Sequence, residues 1–302
     1  AQTFNTLLDG CASAGDTALM EKWFGRMQAA GVVANKFTYN TLLKGHARQG
    51  NTAQLEHWYD QMMAAGIRPN IQTFNTVLDG CATAGDTALM EKWFGKMQDA
   101  GCRPDQITFS SLLKGYARNG NTLQCIHWYN QMVAARVQPN TQSFNTLLNG
   151  CAAAGDMALM EEWFGKMQAA GLEANEITYG VLIKGHMSKG DTVKCQHLYD
   201  QMVAAGVQPN ARIFNTLLNG CAAAGETSLM EEWFGKMQGA DCRPDQVTYN
   251  TLLKGHAMKG NTKRCQYWYD QMVAAGIQPN DQSFSSMLNG CAAAGDTALM
   301  EK

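Results

Sequence analysis

The chain has 302 residues, of which 45% are hydrophobic and 17% charged, with six prolines and a formal net charge of −2. No stretch of roughly eighteen consecutive apolar residues occurs, which excludes a membrane-spanning helix, and the near-neutral balance argues against a uniformly basic surface. From the first residue onward the chain repeats every 35 residues without gaps: 1–35, 36–70, 71–105, 106–140, 141–175, 176–210, 211–245 and 246–280. Residues 281–302 begin a ninth repeat. Repetition of this length predicts a solenoid of stacked units sharing one continuous core.

Each repeat is expected to hold two helices. In the first, Phe4, Leu7, Leu8 and Cys11 give the apolar spacing of a helix over the third to fourteenth positions. It should end at Ala14-Gly15, since glycine relaxes the left-handed C-terminal position. Asp16 and its equivalents Asn51, Asp86 and Asn121 then stand where the second helix needs an N-cap. In that second helix Met20, Phe24 and Met27 form a buried stripe, and Trp23 and Trp58 are read with it as core. Gly10, Gly45 and Gly80 sit inside first helices despite their poor helix propensity, which points to close helix approach. All six prolines fall one residue before a repeat ends, where no helix needs to continue.

A second period of 70 residues lies on the first: odd repeats read like Phe74-Asn75-Thr76-Val77-Leu78, even ones like Tyr39-Asn40-Thr41-Leu42-Leu43. The ten cysteines follow it, with Cys11, Cys81, Cys151, Cys221 and Cys291 spaced by 70 and no CxxC pair anywhere. A zinc site of the usual ligand spacing is therefore absent, and reduced cysteines are the simpler reading. His46, His186 and His256 alternate with cysteines at the eleventh position and are read as packing residues. No nucleophile constellation or Gly-rich phosphate loop is found, so no enzymatic activity and no cofactor are expected. The opening Ala1–Asn5 offers no basic or apolar leader pattern.

The opening Thr38-Tyr39-Asn40-Thr41-Leu42-Leu43, the stretch Tyr269-Asp270-Gln271-Met272 and the ending Ala275-Gly276-Ile277-Gln278-Pro279-Asn280 resemble the pentatricopeptide repeat along the whole chain. That resemblance implies an all-α fold, a right-handed superhelical α-solenoid of eight full repeats and a partial ninth. It implies a single domain over 1–302, expected to be part of a longer array. It also implies single-stranded RNA as partner, about one base per repeat, in mitochondrial or chloroplast RNA metabolism, with no membrane partner. Other proteins of a ribonucleoprotein assembly are possible partners.

By the same resemblance the fifth and last residues of each repeat select the base. The pairs are Asn5 with Asn35, Asn40 with Asn70, Asn75 with Asp105, Ser110 with Asn140, Asn145 with Asn175, Gly180 with Asn210, Asn215 with Asp245 and Asn250 with Asn280, followed by an incomplete Ser285. Read in order they give a site near 5′-CCUAC(A)UC-3′, the sixth letter being the weakest. The chemistry behind such pairs is plain: aspartate can only accept, which suits the ring N–H of uracil or guanine, whereas an asparagine amide can donate to cytosine or adenine. The second residue wedges between bases, a role that Phe37, Ile107, Ile177, Arg212 and Val247 suit.

Helical spacing independently puts the second, fifth, ninth and thirteenth positions on one face, with the polar fifth residue expected to be open. Lys44, Arg48, Lys114, Arg118, Lys184 and Lys254 lie on or beside that face and are candidates for phosphate contact. Two other readings stand beside this one. Asn and Asp before a helix are good N-caps whatever the protein does, and a helical solenoid can instead serve as a protein scaffold.

Overall fold

The computed structural model describes residues 2–295. Ala1 and the end of the partial ninth repeat, 296–302, lie outside the described residues. Among those described there are helices and no strands. Two compact units are formed, Ala1–Ala154 and Gly155–Lys302. The first holds α1 (Gln2–Ala14), α2 (Thr17–Ala29), α3 (Lys36–Arg48), α4 (Thr52–Ala64), α5 (Ile71–Ala84), α6 (Thr87–Asp99), α7 (Gln106–Arg118), α8 (Thr122–Ala134) and α9 (Thr141–Ala154). The second holds α10 (Met157–Ala169), α11 (Glu176–Ser188), α12 (Thr192–Ala204), α13 (Ala211–Ala224), α14 (Thr227–Gly239), α15 (Gln246–Met258), α16 (Thr262–Ala274) and α17 (Asp281–Ala294). Odd-numbered helices are the first helices of their repeats and even-numbered ones the second.

From α3 onward, first helices begin at the first position of the repeat, two residues earlier than apolar periodicity alone suggests. The cause is the residue before them. Asn35, Asn70 and Asp105 take extended backbone and accept the N3 amide, and the threonine three residues on returns a bond to the cap's own N–H. This capping box satisfies two donors that a helix start leaves orphaned. Second helices start on Asp16, Asn51, Asp86 and Asn121 as expected, each side chain accepting an amide in the first turn.

In the first unit each odd helix lies against the next odd helix, from α1 to α9, and against its own hairpin partner from α1·α2 to α7·α8. The second unit repeats the scheme from α11 to α17. The tightest approach of a glycine to a neighbouring backbone is at Gly80, where a Cβ would stand 2.9 Å from the Cα of Ala47 in α3. No side chain larger than hydrogen fits there. Second helices are linked by aromatic edges: Phe24 meets Trp58 at 5.0 Å and Tyr59 meets Trp93 at 4.6 Å between ring centroids, both T-shaped. In the second unit Phe234 and Trp268 do the same at 4.8 Å. Edge-to-face rings add to the area they bury. Trp58, Trp93 and the methionine stripe are core, whereas Trp23, with Phe4 and Arg26 against it, is only half-buried.

Candidate nucleic-acid interface

The fifth and last residues of a repeat lie 30 positions apart, yet the hairpin returns the last one to the start of the next first helix, beside the fifth. Asn75 Nδ2 donates to Asp105 Oδ1 at 3.0 Å. Asn215 Nδ2 donates to Asp245 Oδ1 at 3.2 Å, and Asn250 Nδ2 to Asn280 Oδ1 at 3.1 Å. Between the members of each pair stands a hydroxyl that sequence reasoning missed, from the third position of the following repeat. Thr108 Oγ1 donates to Asn75 Oδ1 at 2.6 Å and accepts the Asp105 N–H at 3.1 Å. Thr38 and Thr73 link Asn5 with Asn35 and Asn40 with Asn70 in the same way, each donating at 2.8 Å to the fifth-position amide oxygen. These threonines are wholly buried.

The hydroxyl node corrects one expectation. Asn5, Asn40, Asn75, Asn145 and Asn250 are not on an open face but are nine-tenths or more buried, and for Asn5, Asn40, Asn75 and Asn250 the hydroxyl of the following first helix closes over the amide. What remains accessible is the outer edge of the pair. The last-position residue spends one oxygen on the cap, and this fixes which atom it turns outward. With Oδ1 held by the Thr38 N–H at 3.0 Å, Asn35 turns its amide NH2 away from the helix. With Oδ1 of Asp105 taken by the Thr108 N–H at 2.9 Å and by Asn75, its second oxygen is left to accept. At Asp245 burial alone raises the carboxyl pKa, but hydrogen bonds from Thr248, Asn215 and Val247 outweigh it and hold the group below the ordinary carboxylate value.

Repeats with a small fifth residue depart from this arrangement. Beside Ser110, Gln106 reaches across from the first position and donates to Ser143 Oγ at 3.1 Å, while Asn140 caps α9. Beside Gly180, Glu176 Oε2 accepts from Asn210 Nδ2 at 3.1 Å. The hydroxyl is gone as well, and Ile213 fills the space, its Cδ1 3.2 Å from where a Gly180 Cβ would stand. Asn145 belongs to the first unit and Asn175, which caps α11, to the second. Ser285 is exposed on α17.

Phe37, Ile107, Ile177 and Val247 are large apolar side chains left 55–59% exposed on otherwise polar helix starts, and Arg212 is exposed too. In the first unit, Asn75, Asp105, Ile107, Ser110, Lys44 and Lys114 line one open groove of about 670 Å³. A second hollow of about 560 Å³ brings Phe37 to Asn5 and Asn35.

The basic residues are less free than their positions suggest. Lys44 pairs with Asp9 at 3.0 Å and Lys114 with Asp79 at 2.8 Å, ninth position to ninth position. Arg48 donates to the carbonyls of Ala12 and Ser13, and Arg118 to that of Thr83, at the C-terminal ends of the preceding first helices. Lys184 and Lys254 are exposed without an ion pair among the described residues, their odd-repeat counterparts being Asn149 and Asn219. Among the described residues no three His, Cys, Asp or Glu side chains gather closely enough to hold a metal ion.

Comparison with known proteins supplies the family. Maize pentatricopeptide repeat protein PPR10 superposes on 99% of this chain with a TM-score of 0.62 and 23% identity, over 48% of its own chain. PPR10 in complex with an 18-nucleotide psaJ RNA element matches over 99% of this chain and 52% of its own, at 21% identity and a TM-score of 0.48. Nuclear proteinaceous RNase P 2 (PRORP2) from A. thaliana matches 62% of this chain and 42% of its own, at 17% identity and a TM-score of 0.50. The chain thus spans about half the length of these proteins. No curated protein matches it in sequence. The profile of the pentacotripeptide-repeat region of PRORP, however, matches residues 1–161 and 117–269. Capped helical hairpins of 35 residues, matched by that profile over most of their number, place this chain in the pentatricopeptide repeat family.

Proposed function

We propose that this chain binds single-stranded RNA sequence-specifically, taking about one base per repeat against its first helices, at a site near 5′-CCUAC(A)UC-3′. The observation that carries the reading is the capped pair. Because the cap bond fixes each last-position side chain, Asn35, Asn70, Asn140, Asn175 and Asn280 offer N–H donors to a base edge and Asp105 and Asp245 an acceptor. The fixed orientation means no side-chain freedom is lost on binding, which favours discrimination. Exposed Phe37, Ile107, Ile177 and Val247 are placed to wedge between adjacent bases, and Arg212 and the Phe37 ring can also stack on them. Lys44, Lys114, Lys184 and Lys254, with Arg48 and Arg118, give the backbone contacts.

In this reading the protein is a non-enzymatic binder, and by family it acts in mitochondrial or chloroplast RNA processing, stability or translation. The rival reading is a scaffold that grips protein partners with little base selection. Asp105→Asn separates the two, because asparagine caps α7 as well as aspartate does and leaves folding unchanged. Fluorescence anisotropy should show the third-base preference moving from U toward C by about 1–3 kcal/mol. A profile that stays put, or equal affinity for a scrambled RNA, favours the scaffold.

A further inference from the structure

Repeat six lacks the parts that form the base-facing pair elsewhere. Gly180 has no side chain, Ile213 has no hydroxyl, and the Asn210 amide is held by Glu176 at 3.1 Å. Asn210 still caps α13, its Oδ1 taking the Ile213 N–H at 3.1 Å, so its donors face Glu176. Glu176 lies four residues before Gly180 and therefore above it on the same helix face. The first turn of α11, where it sits, favours a negative charge.

The first-position side chain responds to the size of the fifth. Gln106, above Ser110, turns into the pair and bonds Ser143 at 3.1 Å. Gln246, above Asn250, turns away and donates to the Gln278 carbonyl at 2.9 Å. The same residue type thus enters the pair only where the fifth residue leaves room.

From this we infer that Glu176 is the specificity-determining residue of repeat six, where its carboxylate selects guanine. The inference rests on the base-reading function proposed above. The Asn210 donor that would favour adenine is occupied, and the outward group becomes a carboxylate, which only accepts. Guanine presents two adjacent donors on its Watson–Crick edge, N1–H and the exocyclic amine, which a carboxylate accepts as a bidentate pair. The absent Gly180 side chain leaves the space a purine needs. The preferred site then reads 5′-CCUACGUC-3′, where the fifth and last residues alone give A at the sixth base.

The test is anisotropy with the full chain on four RNAs, CCUACNUC with each base at N, repeated for Glu176→Gln and Glu176→Ala and with the melting curve of each variant recorded. The wild-type chain should prefer G over A by about tenfold, and both variants should lose that preference while keeping U at the third base. Gln106→Glu should independently move the fourth base from A toward G. Adenine preferred by the wild-type chain, or a sixth-base preference unmoved in both Glu176 variants, overturns the assignment. Asp105→Asn in the same assay separates the failures. If it moves the third base while the sixth does not respond to Glu176, only this inference falls; if no RNA is discriminated, the base-reading function falls with it.

Discussion

His46 and His256 occupy the position that Tyr116 takes in the fourth repeat, and all three meet a glutamate from the preceding second helix. Nε2 of His46 lies 3.2 Å from Glu21 and that of His256 3.1 Å from Glu231, while the Tyr116 hydroxyl donates to Glu91 at 2.5 Å. Burial lowers both histidine pKa values below 6.5, the glutamates opposing it and Arg264 adding to it at His256. A histidine kept neutral by the fold is protonated more readily in the unfolded chain. Its contribution is therefore complete above about pH 6.5 and is lost as pH falls through that value toward the folded-state pKa. Melting temperature should drop between about pH 7.5 and pH 5.5, and His46→Tyr with His256→Tyr should shrink the drop, as seen by circular dichroism. An equal drop in the double variant would remove the histidines from the explanation.

At this scale the sequence made the pairs legible but not their environment. The buried hydroxyl of Thr38 or Thr108 meets partners 33 residues back, so no single repeat reveals its role. The visible trace was a hydroxyl at the third position of nearly every repeat, lost only at Ile213, after Gly180.

Among second helices, α14 stands apart because it starts on Glu226, which makes no side-chain cap bond, whereas α2, α6, α10 and α12 start on aspartates that do. Glutamate is one methylene too long to return to its own helix start. Glu226→Asp should stabilise the second unit by about 1 kcal/mol, measured as a shift in urea midpoint with unchanged slope. Element identity was readable throughout, since Gly, Pro and cap residues recur with the period. First-helix starts were not, because apolar spacing begins only at the third position while the capping box winds the backbone from the first. Two bends also break the period: Arg136 and Asp241 adopt positive φ, 60° and 55°, where the other repeats have glycine.

For the molecule as a whole, a net charge of −2 understates how acids and bases are interleaved. The Lys44–Asp9 and Lys114–Asp79 pairs are exposed, and such pairs contribute little to stability. On the proposed function, their carboxylates would compete with RNA phosphates for the same ammonium groups. With about four phosphates neutralised, log affinity should fall against log salt with a slope near roughly −3. Asp9→Asn with Asp79→Asn should tighten RNA binding several-fold at about 0.15 M salt, read by titration. No change would mean that these lysines do not meet the backbone. The pairing itself could be seen in the sequence as oppositely charged ninth positions. Recognising it required knowing that residues 35 apart stand side by side on neighbouring helices.

On the proposed function one side chain both starts the next helix and faces the base, which limits the vocabulary of the array. A last-position residue must keep an oxygen for the cap, so Asn, Asp, Ser and Thr are admissible, and alanine there costs about 1 kcal/mol. Within that set the message can be respelled without disturbing the fold. Asn and Asp, which speak for opposite hydrogen-bond partners, differ only in whether nitrogen or oxygen fills one atom site. The fifth position has no such licence where its amide lies inside a closed node, as at Asn5, Asn40, Asn75 and Asn250. If the pairs read bases as proposed, target preference is free to drift along one column of residues and is anchored along the other.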